Sequence, residues 1–190
     1  MTMMMARPIL KYPDRRLRVP AKPIKEIDGR IKALSEEMIE ALASVGGLGL
    51  AAPQLGESLR LILIDTEEEA HILINPELVE ADDERSVPFT EGCLSLPGIE
   101  AELWRPERVL VRGWTLDEKE VELEREGLVA RIFLHELDHL NGVLFIDRLG
   151  LAKRRMLLKE YEQLRREARR DREGRLTDLG EQERRAISRL

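Results

Sequence analysis

Two histidines separated by three residues form the most specific chemical signal in the chain. In the segment HELDH, His135 and His139 stand at positions i and i+4. On a helix both imidazoles share one face and can hold one metal ion, with Glu136 beside them. The chain contains only three histidines, so this spacing rarely arises by chance. The pattern therefore predicts a metalloenzyme.

A catalytic site of this type needs a third protein ligand, because such sites use three and keep one position open for water. The extended motif HExxHxxGxxH would place a histidine where this chain has Phe145, which has no ligand atom. A thermolysin-like site would instead use Glu160 or Glu162 from a downstream helix. The remaining source is the single cysteine, Cys93, since a thiolate with two imidazoles suits a borderline-soft divalent ion.

Cysteine count and composition also limit the class of protein. One cysteine cannot form an internal disulfide, and 190 residues with 43% hydrophobic and 36% charged residues indicate one soluble folded domain. The longest uncharged stretch, residues 41–56, contains four glycines and a proline and is too short to cross a bilayer. The N-terminus lacks the features of a signal or transit peptide. We therefore expect a cytoplasmic protein with no membrane partner.

Three motifs together resemble the peptide deformylases, of the bacterial class with EGCLS and HExDH motifs. They are GLGLAAPQ at residues 47–54, EGCLS at 91–95 and HELDH at 135–139, and weaker similarity extends over residues 7–150. The resemblance implies a hydrolase that removes the N-formyl group from the N-terminal formylmethionine of nascent polypeptides and releases formate. It implies Cys93, His135 and His139 as metal ligands and Fe2+ as the expected ion. The residues alone also allow Zn2+, Ni2+ or Co2+.

The resemblance further implies a role for each group around the metal. Metal-bound water would attack the formyl carbon, with Glu136 as general acid and base. The side-chain amide of Gln54 and the backbone N–H of Leu94 would bind the oxygen that becomes negatively charged. Backbone groups near Leu48 and Gly49 would bind the N-formylmethionyl peptide as an added strand.

The methionine side chain of such a substrate needs an apolar pocket beside the metal. Leu128 and Ile132 lie seven and three residues before His135 on the same helix face, and with Leu48 they are the predicted wall. The alternative is that these residues belong to the ordinary hydrophobic core.

Three charged residues are expected to support the metal ligands. Glu91 and Arg105 are predicted to form an ion pair that fixes the Cys93 loop, and Asp138 is predicted to orient an imidazole. His71 lies in a strand-like run and is expected to be a packed or exposed histidine, not a ligand.

Local patterns predict the elements that position these groups. Apolar residues spaced three and four apart after the capping residue Asp28 predict a helix over 28–44, and a second helix covers 128–141. Strands are predicted over 59–65, 72–79, 99–103, 108–114 and 121–126, with loops at the glycine-rich segment and around Cys93. The expected fold is α+β, with antiparallel sheets around a central HExxH helix, an N-terminal helix and a long C-terminal helix.

Charge divides the chain into a catalytic part, residues 1–150, and a charged helical extension of the same domain, residues 151–190. The extension has two lysines and eleven arginines against eight acidic residues, a net charge of +5, whereas the whole chain carries −6. This basic segment is a candidate for ribosome binding, and the alternative is a solvated helix covered in ion pairs. We expect weak order beyond Gly174, and the sequence leaves the oligomeric state open.

Two other functions remain open on the sequence alone. One is an HExxH metallopeptidase that uses Glu160 or Glu162 as its third ligand. The other is a ribosome- or RNA-binding module with a structural metal. Replacement of Cys93 by alanine separates the first from a deformylase, because only a deformylase would lose its metal.

Overall fold

The computed structural model describes residues 6–82 and 84–187 and forms two compact units, Met1–Leu149 and Gly150–Leu190. The first unit has the predicted α+β fold with antiparallel sheets. Its described elements are α1 (Gly29–Val45), β1 (Gly49–Ala51), β2 (Leu61–Asp65), β3 (Ala70–Ala81), β4 (Ser86–Gly92), β5 (Glu100–Pro106), β6 (Arg108–Trp114), β7 (Glu120–Glu126) and α2 (Gly127–Leu140).

One antiparallel sheet has the strand order β1, β2, β3, β6, β7, and β4 pairs with β5 in a separate hairpin. Strand β2 is apolar from Leu61 to Ile64 because both of its faces are covered there. Leu61 and Leu63 belong to one apolar cluster with residues of α1, while Ile62 and Ile64 belong to another with residues of α2. Successive side chains of a strand point to opposite faces, so the sheet lies between the two helices.

The first helix begins and ends where its sequence predicts. The carboxylate of Asp28 accepts hydrogen bonds from the backbone N–H groups of Arg30 and Ile31, at 3.0 and 3.1 Å. The helix ends at Gly46, whose φ of 70° is costly for residues with a side chain. The chain changes direction at Gly46 and enters β1 three residues later.

Two segments for which the sequence predicted no strand contain strands. Gly49 pairs with Ile64 of β2, and the whole of β4 pairs with β5, from Ser86 opposite Pro106 to Gly92 opposite Glu100. These strands carry glycines or charges, so local composition does not favour them. Hydrogen bonds to a distant partner strand stabilise them instead.

The second unit is described here as one helix, α3 (Leu151–Ile187). Arg165 and Glu162 form an ion pair of 2.9 Å on it. Weak order was expected beyond Gly174, but the backbone of α3 remains helical there as far as Ile187. Residues 188–190, which the same expectation covers, lie outside the described residues. Across the described helices of both units, no segment has the length and apolar character needed to cross a membrane.

Candidate active site

The three predicted metal ligands meet between α2 and the loop after β4. The ligand atoms of Cys93, His135 and His139 all lie within 4.8 Å of one another. Cys93 Sγ is 3.2 Å from His139 Nε2, and the two imidazole centroids are 5.0 Å apart. Ligands of one tetrahedral ion are separated by about 3.5 Å. The three side chains therefore fit a single divalent metal ion, and Glu160 and Glu162 are not part of the cluster.

The environment of Cys93 favours the thiolate form. Burial alone would raise the pKa of the thiol, but His139 and His135 lower it well below its usual range. The backbone N–H of Ser95 donates a hydrogen bond of 3.4 Å to Sγ. Because the thiolate is the form that binds metal ions, Cys93 has the chemistry of a ligand.

Glu91 lies at the centre of a buried charge network. Its Oε1 accepts hydrogen bonds from Arg105 Nε at 2.6 Å and Arg131 Nη1 at 2.7 Å, and its Oε2 lies 3.1 Å from His135 Nδ1. Burial would raise the pKa of Glu91, but His135 and Arg105 lower it to about 2. A carboxylate can only accept, so His135 donates from Nδ1 and keeps Nε2 free for a metal. The expected ion pair of Glu91 and Arg105 is thus present.

Asp138 has partners other than the imidazole that was expected. Its Oδ2 accepts hydrogen bonds from Arg105 Nη1 at 2.8 Å and Arg148 Nε at 3.1 Å. In the described part of the chain, Nδ1 of His139 has no hydrogen-bond partner. Asp138 therefore holds Arg105, which in turn holds Glu91, and it does not orient a histidine.

Arg131 is a buried member of this network that the sequence analysis missed. Its Nη2 donates to the carbonyl of Val87 at 2.7 Å, and its guanidinium lies 5.4 Å from the ring centroid of Phe89. It thereby joins α2 to β4. The sequence feature that could have identified Arg131 is a single charge inside the apolar run LVARIFL, four residues before His135.

Glu136 is a buried carboxylate with a high proton affinity. Burial raises its pKa to about 7, although the neighbouring histidines oppose this. Its Oε2 has no hydrogen-bond partner among the described residues. A Cβ atom on Gly49 would lie 2.5 Å from Oε1, so only glycine allows β1 to pass this close. Glu136 is therefore held beside the ligands in a state suited to moving protons.

Gln54 and Leu94 lie on the wall of one cavity beside the ligands. Gln54 is buried, and its Oε1 accepts a hydrogen bond of 2.8 Å from the N–H of Ala51. Its Nε2 donates to Ser95 Oγ at 3.2 Å and lies 4.0 Å from Cys93 Sγ. The amide therefore presents its donor side to the metal ligands.

The cavity has a volume of about 560 Å3, and all four predicted substrate-binding residues line it. Leu48 and Leu128 are 44% and 45% exposed, so they are not part of the core. Ile132 is buried and also belongs to an apolar cluster under the sheet. Ile132 therefore belongs both to the hydrophobic core and to the cavity wall, whereas Leu48, Gly49 and Leu128 belong to the cavity wall alone.

His71 lies on β3 and is not part of the cluster of Cys93, His135 and His139. Its Nε2 contacts Glu69, which also accepts hydrogen bonds of 2.8 Å from Arg125 on β7. It is a partly buried structural histidine, in agreement with the sequence analysis.

Comparison with known proteins finds deformylases with this sequence pattern and fold. A family model described as polypeptide deformylase matches residues 6–155. A peptide deformylase of Mesorhizobium japonicum is 42% identical over 163 residues, which cover 83% of this chain and 92% of the relative. One of Thermodesulfovibrio yellowstonii is 43% identical over 159 residues, covering 81% and 95%.

Two solved structures with the same fold are also described as peptide deformylases. The peptide deformylase of Legionella pneumophila superposes with a TM-score of 0.82 at 39% identity, covering 87% of this chain and 99% of that one. The peptide deformylase of Synechococcus elongatus, solved in complex with actinonin, has a TM-score of 0.77 at 37% identity, with coverages of 81% and 85%.

Proposed function

Because the chain belongs to the polypeptide deformylase family, we propose a role for each of its site residues in the reaction of that family. The chain is a hydrolase that removes the N-formyl group from N-terminal formylmethionine of polypeptides and releases formate. The observation that carries the assignment is the buried cluster of Cys93, His135 and His139 with Glu136 on the wall of an open cavity. The peptidase and RNA-binding alternatives have no comparable support.

We propose that Cys93, His135 and His139 hold Fe2+. A divalent ion in this position acts as a Lewis acid and makes water a stronger nucleophile near neutral pH. One thiolate and two neutral imidazoles suit iron, zinc, nickel and cobalt, and the family resemblance favours iron among them. Metal analysis of protein purified without oxygen tests this choice, and zinc at full occupancy would contradict it.

Glu136 handles the proton in this proposal. As a carboxylate it accepts a proton from the attacking water, and as the acid it returns that proton to the amine that leaves. A pKa of about 7 suits both steps, because each form is populated near neutral pH.

Gln54 and Leu94 bind the developing negative charge. The Gln54 amide faces the ligands, and the backbone N–H of Leu94 belongs to the residue after Cys93. Each such donor is typically worth about 3 kcal/mol of transition-state stabilisation.

We propose that β1 receives the substrate as an added strand. In the described sheet β1 is an end strand, paired only with β2, and Leu48 and Gly49 line the cavity along it. Leu128 and Ile132 would then contact the methionine side chain. The complex of the Synechococcus elongatus relative with actinonin supports the expectation that actinonin also inhibits this chain.

Formate release from a formyl-Met peptide by the metal-loaded protein tests the assignment. The matched control substrate is the same peptide with an N-acetyl group. Glu136→Gln should retain metal and lose activity by about 100-fold or more, while Cys93→Ala should lose metal. A metal-loaded protein that cleaves internal peptide bonds but releases no formate would contradict the proposal.

We also propose that α3 contacts the ribosome in the cytoplasm, where the substrate is made. The basic charge of residues 151–190 supports this. Replacing Arg155, Arg166 and Arg170 together by glutamate should weaken cosedimentation with ribosomes and flatten its salt dependence. Hydrolysis of a short formyl peptide should not change. Unaltered cosedimentation would leave α3 as a solvated helix.

A further inference from the structure

The N-terminal segment at residues 10–12 is bonded to both backbone segments that carry the proposed donors. The N–H of Leu10 donates to the carbonyl of Gln54 at 2.7 Å, and the N–H of Tyr12 donates to the carbonyl of Ser95 at 2.9 Å. Two backbone bonds, two residues apart, thus fix the Gln54 segment relative to the Cys93 loop. The residue between them is Lys11.

Lys11 contacts the peptide group whose N–H reaches the thiolate. Its Nζ donates a hydrogen bond of 2.6 Å to the carbonyl oxygen of Leu94. That carbonyl and the N–H of Ser95 belong to the same peptide group, and the N–H donates to Cys93 Sγ at 3.4 Å. Hydrogen bonds in a chain polarise one another, so an ammonium on the carbonyl makes the N–H a stronger donor to sulfur.

The charge of Lys11 is directed at this carbonyl and not at an acid. Within the described residues, no carboxylate forms an ion pair with Lys11. The side chain lies on the wall of the same cavity as Cys93 and Gln54. The short bond therefore ties the Lys11 side chain to the backbone of the loop that carries Cys93.

We propose that Lys11 is a positioning residue of the metal centre. Its ammonium group fixes the loop at residues 93–95 and, through the peptide group between Leu94 and Ser95, strengthens the hydrogen bond to the Cys93 sulfur. Electron density on a ligand sulfur depends on the hydrogen bonds that it receives, so Lys11 adjusts the metal–sulfur bond without touching the metal. This inference rests on the proposed role of Cys93 as a ligand.

The test uses the full-length protein loaded with Co2+, in which a sulfur-to-cobalt charge-transfer band reports directly on Cys93. Lys11→Met removes the charge and the donor but keeps an unbranched side chain of similar length. We expect the band to move to longer wavelength, metal affinity in chelator competition to fall about tenfold, and kcat to fall about tenfold with little change in KM. Lys11→Arg keeps the charge and the donor and should stay close to the parent protein.

Lys25→Met is the matched control, because Lys25 is an exposed lysine remote from the ligands in sequence. It should leave the band, metal affinity and kcat unchanged. If Lys11→Met fails to fold, Lys11→Gln still tests the loss of the charge, since its side-chain amide is neutral.

The inference is overturned if the neutral Lys11 variants lower the melting temperature but leave the band and metal affinity unchanged, because Lys11 would then be structural only. It is also overturned if Lys11→Arg behaves like Lys11→Met. A parent protein that binds Co2+ without a charge-transfer band would contradict the assignment of Cys93 as a ligand. That result is distinct from a failure at Lys11.

Discussion

Glu91 and Glu136 are both buried carboxylates beside His135, yet their proton affinities differ widely. The pKa of Glu91 falls to about 2 despite burial, because His135 and Arg105 stabilise its charge. The pKa of Glu136 rises to about 7 because burial is not offset to the same extent. Glu91 therefore stays an anion that orients His135, and Glu136 can exchange a proton.

Position 49 requires glycine because the backbone of β1 passes close to the carboxylate of Glu136. Gly49→Ala would place Cβ 2.5 Å from Glu136 Oε1 and 2.7 Å from Ile132 Cγ2. We expect a loss of kcat/KM of about tenfold or more and a destabilisation of about 1–3 kcal/mol, since both neighbours must move. Formate release and urea unfolding measure the two effects.

The control for that change is Gly29→Ala at the start of α1. A Cβ there meets nothing within 4 Å, and alanine is the better helix former. It should leave activity unchanged and not lower stability. Equal losses for the two variants would mean that close approach to Glu136 is not the reason for glycine at position 49.

Among the elements, α2 and the hairpin of β4 and β5 are joined by two buried arginines, Arg105 of β5 and Arg131 of α2. Arg131→Met removes the bonds to Val87 and Leu103 carbonyls and one partner of Glu91. Removing one member of a buried charge network typically costs about 3–5 kcal/mol, so we expect a loss of that order in urea unfolding. Metal affinity should also fall, because Glu91 orients His135.

An exposed ion pair provides the comparison. Arg112 and Glu122 pair across β6 and β7 at 2.8 Å, with side chains 44% and 50% exposed. Arg112→Met should lower the free energy of unfolding far less than Arg131→Met does, because water screens an exposed ion pair, and it should leave metal affinity unchanged. If the two arginine variants were equally stable, burial would not be what makes Arg131 important.

Acid stability depends in part on an ion pair that links the start of β3 to β7. Hydrogen bonds from Arg125 lower the pKa of Glu69, and burial opposes them. With a further contact from His71, the pKa falls to about 2. A lowered pKa means that its stabilisation is complete above the unfolded value of about 4.5 and is lost as the pH falls toward 2. Glu69→Gln should therefore cost about 1 kcal/mol at pH 7.

The measurement is urea unfolding of both proteins between pH 7 and pH 3. The difference in unfolding free energy should shrink below pH 4.5. A difference that stays constant across this range would assign the effect of the substitution to packing and not to charge.

At the scale of the first unit, one metal ion would connect parts that are far apart in the chain. Cys93 follows β4, and both histidines lie on α2. A metal that binds only the folded state stabilises it by about 3–4 kcal/mol when free metal exceeds its dissociation constant by 100 to 1,000-fold. Chelation should therefore lower the melting temperature, and added metal should restore it.

Cys93→Ala supplies the control for metal removal. Its melting temperature should respond to neither chelator nor added metal, because the third ligand is missing. A variant that responds as strongly as the parent protein would show that the stabilising metal binds elsewhere.

The elements that the sequence determined are those with local signals. The capping residue Asp28 and the glycine at 46 define α1, and the apolar run of α2 defines the helix that carries both histidines. Strands β1 and β4 escaped prediction because only their partners, β2 and β5, stabilise them. A pattern read along the chain does not contain that pairing.

The sequence by itself determined the α+β class and the shared helix face of His135 and His139, the latter because a helix places residues i and i+4 on one face wherever it lies. Only the tertiary structure decided what supports them. Arg105 meets Asp138 across 33 residues, and Lys11 meets Leu94 across 83. Such pairs form when separate elements pack together, and no spacing rule along the chain predicts which charges will then be neighbours.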